Sequence, residues 1–102
     1  MSAVRKGYSI EELKAIVSPV AEKYGVDKVY LFGSRARGDH GEDSDYDFCI
    51  ERGKIQTLFT LAGFFRELHD AVGCEIDLVT TKSLEPEFLN TVLTEGILVY
   101  AH

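Results

Sequence analysis

Tryptophan is absent from this 102-residue chain, and proline, cysteine and methionine are scarce, at two, two and one. Cys49 and Cys74 lie in apolar, strand-like segments with no Cys-x-x-Cys or Cys/His spacing around them. This argues against a zinc site or a disulfide framework, and both thiols read as small buried hydrophobes. No stretch approaches the ~20 apolar residues of a membrane span, and Met1 to Tyr8 lacks the apolar run of a signal peptide. A cytosolic protein with no membrane partner is expected. Basic charge is also short: 11 Lys and Arg stand against 17 Asp and Glu, for a net charge of −6, with no basic cluster beyond Arg35 and Arg37. Tight nucleic-acid binding through phosphates needs the opposite balance.

What remains is 45% hydrophobic and 27% charged, the make-up of one compact globular domain. There is no internal repeat, low-complexity segment or linker, so a single domain over 1–102 is expected. A chain of this size buries roughly two-thirds of the surface its unfolded form exposes, with little stability in reserve. Help from a partner subunit, a second copy included, fits that balance.

Periodicity supplies the elements. Ser9-Ile10-Glu11-Glu12 has the form of a capping box. Ile10, Leu13, Val17, Val20 and Ala21 then recur at helical spacing to about Tyr24, with Pro19 expected to kink the helix or start a second turn, and Gly25 ending it. Lys28–Phe32 reads as a strand stopped by Gly33, and Asp45–Glu51 as a half-buried strand with Tyr46, Phe48 and Ile50 on the core side. Leu58, Leu61, Phe65, Leu68 and Val72 mark a second amphipathic helix ending near Gly73. Glu75–Thr80 is a third strand, Pro86 opens a last helix that stops at Gly96, and Ile97–Tyr100 is a fourth strand. The alternation predicts an α/β (α+β) sheet domain.

The chemistry concentrates between Gly33 and Asp47. Gly33 directly after a strand lets the backbone turn tightly and approach a ligand, and Ser34 adds a hydroxyl and an N–H where a short helix begins, a combination suited to phosphate oxygens. Asp45 and Asp47, two apart on a strand, project from one face and are placed to share a cation. Without one, two carboxylates about 4 Å apart repel by ~4 kcal/mol at an effective dielectric of 20. Oxygen-only ligands favour Mg²⁺ or Mn²⁺ over zinc. Asp43, Asp45 and Asp47 also match the first ligands of a calcium loop, but Phe48 stands where that loop needs glycine and Lys54 where it needs a bidentate Glu. Gly33 and Gly38 have the glycine spacing of a Walker A loop, yet Asp39-His40 replaces its Lys-Ser/Thr. Asp77, flanked by Ile76 and Leu78, completes a set of three carboxylates if the third strand pairs with the second. That set suits two-metal phosphoryl transfer, with Asp77 orienting the attacking hydroxyl or serving as its base.

Leu31-Phe32-Gly33-Ser34-Arg35-Ala36-Arg37-Gly38, then Ser44-Asp45-Tyr46-Asp47-Phe48, then Ile76-Asp77-Leu78-Val79 resemble the minimal nucleotidyltransferase (MNT) domains of the DNA polymerase β-like nucleotidyltransferase superfamily, with similarity from about Ser9 to Tyr100. The resemblance implies a nucleotidyltransferase fold, a mixed sheet of about four strands flanked by helices. It implies Gly33 and Ser34 on the triphosphate of ATP or another NTP, Asp45, Asp47 and Asp77 as catalytic and metal-binding residues for two Mg²⁺ ions, and Arg35 and Arg37 at the motif's basic positions, meeting phosphate or acceptor. Tyr46 replaces a commonly aliphatic residue, while His40, in the spacer, and His69, on a helix face, read as surface residues. Members of this family pair with a helical HEPN toxin as its antitoxin, and some transfer AMP to a tyrosine hydroxyl of that toxin. The expected function is therefore NMP transfer, from ATP, to a hydroxyl of a partner protein. Two alternatives stand beside it: a non-catalytic nucleotide-binding antitoxin, and transfer to a small molecule such as an aminoglycoside, for which no second domain is left to shape an acceptor pocket.

Overall fold

The computed structural model describes residues 8–38 and 45–102. The spacer between the two halves of the motif, and with it the reading of His40, lies outside the described residues.

Helix α1 (Ile10–Tyr24) starts at the expected capping box: the Ser9 hydroxyl accepts from the Glu12 N–H at 3.0 Å, and the Glu12 carboxylate accepts from the Ser9 N–H at 2.9 Å. It runs through Pro19 without breaking into a second helix and ends on Gly25 in the left-handed region. Strand β1 (Lys28–Phe32) leads through Gly33 into the one-turn helix α2 (Ser34–Arg37). Strand β2 (Tyr46–Glu51), helix α3 (Leu58–Val72), strand β3 (Ile76–Thr80), a 3₁₀ turn, helix α4 (Pro86–Glu95) and strand β4 (Ile97–Ala101) complete the order. Observed strand bounds differ from the sequence reading by one residue at Asp45, Glu75 and Ala101.

The sheet has the order β3-β2-β1-β4, with β1 antiparallel to both neighbours and β2 parallel to β3. A parallel pair needs a crossover, and α3 supplies it. Val29 and Leu31 of β1, Tyr46, Phe48 and Ile50 of β2, Ile76 of β3 and Val99 of β4 form one core with Leu13, Val17 and Ala21 of α1 and Phe64, Leu68 and Val72 of α3. The two long helices therefore cover one face, tied to each other by Glu67, which accepts from Lys23 and from the Tyr24 hydroxyl, each at 2.8 Å. The Tyr24 phenol is held above its ordinary pKa, chiefly by that hydrogen bond, and the Glu67 carboxyl is held below its own by Lys23 and then Tyr24.

The inward stripe of α3 is rotated from the one expected. Phe64, not Phe65, is fully buried, edge-on to Tyr24 at 5.6 Å, while Leu58 is 79% exposed. Two adjacent phenylalanines fit a helical period equally well, and the position of Tyr24 on α1 decides between them. Cys49 is buried as expected, on the face away from the long helices, but Cys74 lies in the turn before β3 and is only partly covered.

Candidate active site

Residues of β1, β2 and β3 that share a row across the sheet define the site. Phe32 pairs with Asp47, and Asp47 pairs in turn with Asp77. Adjacent strands lie about 4.8 Å apart and paired residues project to one side, so both carboxylates stand together on the face that α1 and α3 leave uncovered. Alternation along β2 explains the division: Tyr46 and Phe48 enter the core, and Asp47 between them must face away.

The pairing has an electrostatic signature. The Asp47 carboxyl is pushed above its ordinary pKa, first by burial, then by the negative charge of Asp77 and a hydrogen bond with it, then by Asp45, while Arg37 pulls the other way. A carboxylate pair held together against its own repulsion is what a hard divalent cation neutralises, and the all-oxygen donor set fits Mg²⁺ or Mn²⁺ rather than zinc. The convergence of three carboxylates is realised as a pair with a neighbour. Asp45 lies one residue before β2 and is exposed, and among the described residues no cluster of three His, Cys, Asp or Glu side chains is drawn together for a metal.

Gly33 closes β1 against this pair. Its backbone, at φ 78° and ψ −157°, is in a region open essentially to glycine, and a Cβ there would overlap an Asp47 carboxylate oxygen. The carbonyl of Gly33 accepts from the Ala36 and Arg37 N–H groups, each at 3.1 Å, which folds Ser34–Arg37 into a helical turn that opens with the half-buried Ser34.

The two arginines part company. Arg35 is buried, with 8% exposure, and its guanidinium carbon stands 4.3 Å from the centre of the Tyr46 ring. Tyr46 projects from β2 to the side opposite Asp47, so Arg35 packs against the core side of β2. Arg37 is exposed and close enough to Asp47 to oppose the rise of its pKa. Tyr46 is the structural residue that the sequence undervalued: besides Arg35 it stacks on Phe48, lies 5.9 Å from the Tyr8 ring and accepts from the Tyr8 N–H at 3.0 Å. Its aromatic ring between two aspartates was the available signal. His69 is a helix-face residue on α3, stacked on Phe65.

A glycine-serine turn leaving the central strand, faced by carboxylates on the next two strands, is the arrangement of a nucleotidyltransferase. The family described as polymerase beta, nucleotidyltransferase, matches residues 14–102, and the chain belongs to it. Protein adenylyltransferase MntA of Thermococcus cleftensis is 32% identical over 95 residues, spanning 89% of this chain and 96% of that one. A solved structure of a provisionally named minimal nucleotidyltransferase is 31% identical, with a TM-score of 0.75 over 91% of this chain and 98% of the other. A chain of a solved complex between a tri-AMPylated Shewanella oneidensis HEPN toxin and an MNT antitoxin superposes with a TM-score of 0.68 at 17% identity, over 92% and 74% of the two chains, a likeness of fold.

Proposed function

We propose that this chain is a Mg²⁺-dependent protein adenylyltransferase of the cytoplasm, transferring AMP from ATP to a hydroxyl of a HEPN-type toxin and thereby acting as its antitoxin. The observation that carries the reading is the register of Asp47 opposite Asp77, both beside the Gly33 turn. The name of the Thermococcus relative supports protein AMP transfer, and the shared fold of the HEPN–MNT complex supports the partner. A net charge of −6 suits a basic, RNA-binding partner surface.

In this reading Gly33 offers backbone to the triphosphate, Ser34 its hydroxyl and N–H, and Arg37 its guanidinium. Asp45, Asp47 and Asp77 hold the divalent cations, two in number, which when bound neutralise the triphosphate and acidify the acceptor hydroxyl. Asp77 orients that hydroxyl and takes its proton. The acceptor oxygen then bonds to the α-phosphorus, the bond from that phosphorus to the bridging oxygen breaks, and pyrophosphate leaves with the electron pair.

The test is incubation with ATP, Mg²⁺ and the product of the adjacent gene, followed by peptide mass spectrometry. AMP should appear on a partner Tyr, Ser or Thr, and Asp77→Asn should slow its appearance by about 10² to 10⁴ while leaving ATP binding largely in place. A tight complex without label, where ATP binds, would establish the contact-only antitoxin instead.

A further inference from the structure

Strand β4 ends the sheet order, so among the described residues its outer row of backbone groups has no strand beside it. Its residues, Ile97-Leu98-Val99-Tyr100-Ala101, include no charge and no proline, two of the common guards against edge-to-edge pairing. Val99 is an extra residue between the pairs Val29 with Tyr100 and Tyr30 with Leu98, a bulge that twists the strand without covering it. Leu98 is 42% exposed. A groove runs along this edge with α1 as its other wall. It consists of two hollows of about 340 and 440 Å³ that share Glu22, Tyr100 and Ala101, the first running past Ser18 to Lys14 and Leu98, the second reaching Gly25. A groove beside an uncovered strand accepts an extended segment that adds to the sheet.

We propose that a second copy of this chain fills the groove, β4 against β4 across a two-fold axis. Charge fixes the occupant. Lys14, Ser18 and Glu22, four residues apart, form one row along α1 about 12 Å long, and all three border the groove. Glu22 stands by Tyr100 and Ala101, and Lys14 toward the Leu98 end, so the row follows β4 in the direction of the strand. A two-fold axis between antiparallel β4 strands reverses one row against the other. Lys14 of each copy then faces the partner's Glu22, as an interface that repeats itself about an axis requires. A segment of another protein would have to bring its own opposite charges in this order; a copy of this chain already carries them. The axis stands perpendicular to the sheet, so the product is an eight-stranded sheet with both α1 helices on one face and both carboxylate pairs on the other. Asp47 and Asp77 lie on β2 and β3, away from the joined edge, and the pairing covers neither site.

The test is sedimentation equilibrium of the whole chain across the micromolar range, on the wild type, Lys14→Glu, Glu22→Lys, the double reversal Lys14→Glu with Glu22→Lys, and Leu98→Glu, with circular dichroism to verify the fold. The wild type should approach twice its 11.4 kDa mass. Each single reversal should weaken the dimer about tenfold, because two exposed pairs per dimer are lost and replaced by like charges. The double reversal should restore it, since the row is again complementary to itself. Leu98→Glu, which guards the edge with a charge, should leave a folded monomer. A wild type that stays monomeric throughout the range overturns the proposal and leaves the groove to an extended segment of another protein. A dimer that neither single reversal nor Leu98→Glu weakens overturns the assignment to this edge, and a double reversal no stronger than the single ones overturns the facing of Lys14 and Glu22.

Discussion

Gly33 and Asp47 occupy space that only a glycine permits: the Asp47 carboxylate lies where a Cβ of residue 33 would be. The chain turns out of β1 so closely over β2 that the Gly33 turn and the Asp47 carboxylate are in direct contact. The two halves of the motif are thus one packed unit, and a change in one is felt in the other.

Gly33→Ala should therefore lose more than Gly38→Ala, although both glycines have positive φ, 78° and 85°. At Gly38 nothing among the described residues lies within 4 Å of an added Cβ, so the cost is backbone strain, about 1–2 kcal/mol. At Gly33 the displaced carboxylate adds to a strain of about 1–3 kcal/mol. Urea unfolding of the two variants measures the difference, and equal losses would show that Asp47 moves aside freely.

The carboxylate pair should destabilise the protein in EDTA at neutral pH. A raised folded pKa means that the ionised Asp47 is disfavoured by folding, so its cost is greatest above that pKa and fades as pH falls toward the ordinary aspartate value. Asp47→Asn should raise the melting temperature at pH 7 by a few degrees, the order expected for ~1 kcal/mol or less after allowing for solvent screening, and the gain should shrink on acidification. Mg²⁺ should raise the melting temperature of the wild type and not that of the variant. A lower melting temperature than wild type at pH 7 would contradict the repulsion.

Arg35 and Arg37 should separate stability from nucleotide binding. Arg35→Ala removes a buried side chain and a cation–π contact worth ~0.5–2 kcal/mol, so the midpoint of unfolding should fall clearly. Arg37→Ala, at an exposed position, should stay within about 0.5 kcal/mol of wild type yet bind Mg-ATP more weakly. Calorimetric titration beside thermal melts would register a reversal of the two effects.

The two thiols should differ in reactivity. Cys49 is fully buried, and burial followed by the Glu51 charge pushes its pKa up to about 11, whereas Cys74 is partly exposed. A disulfide reagent at pH 8 should label Cys74 alone in the native protein and both cysteines in denaturant. Rapid native labelling of Cys49 would mean that the cover over this face of β2 opens readily.

The sequence by itself determined nearly every element and the residue types gathered at the candidate site. Caps, glycine stops and periodicity are local signals, and each acts within a turn or two of chain: the capping box at Ser9, Gly25 and Gly73 at helix ends, Pro86 at the first turn of α4. Alternation at Tyr46, Asp47 and Phe48 settled which side of β2 would carry chemistry, because a strand has only two sides. Tertiary structure alone decided what depends on partners distant in the chain. The parallel register placed Asp77 opposite Asp47, and the position of α1 chose Phe64 over Phe65. The packing of Tyr46 drew Arg35 inward and left Arg37 outside, although the two guanidiniums stand two residues apart in the same motif. A one-turn helix presents its residues in every direction, and only the surface beneath it determines which of them is covered.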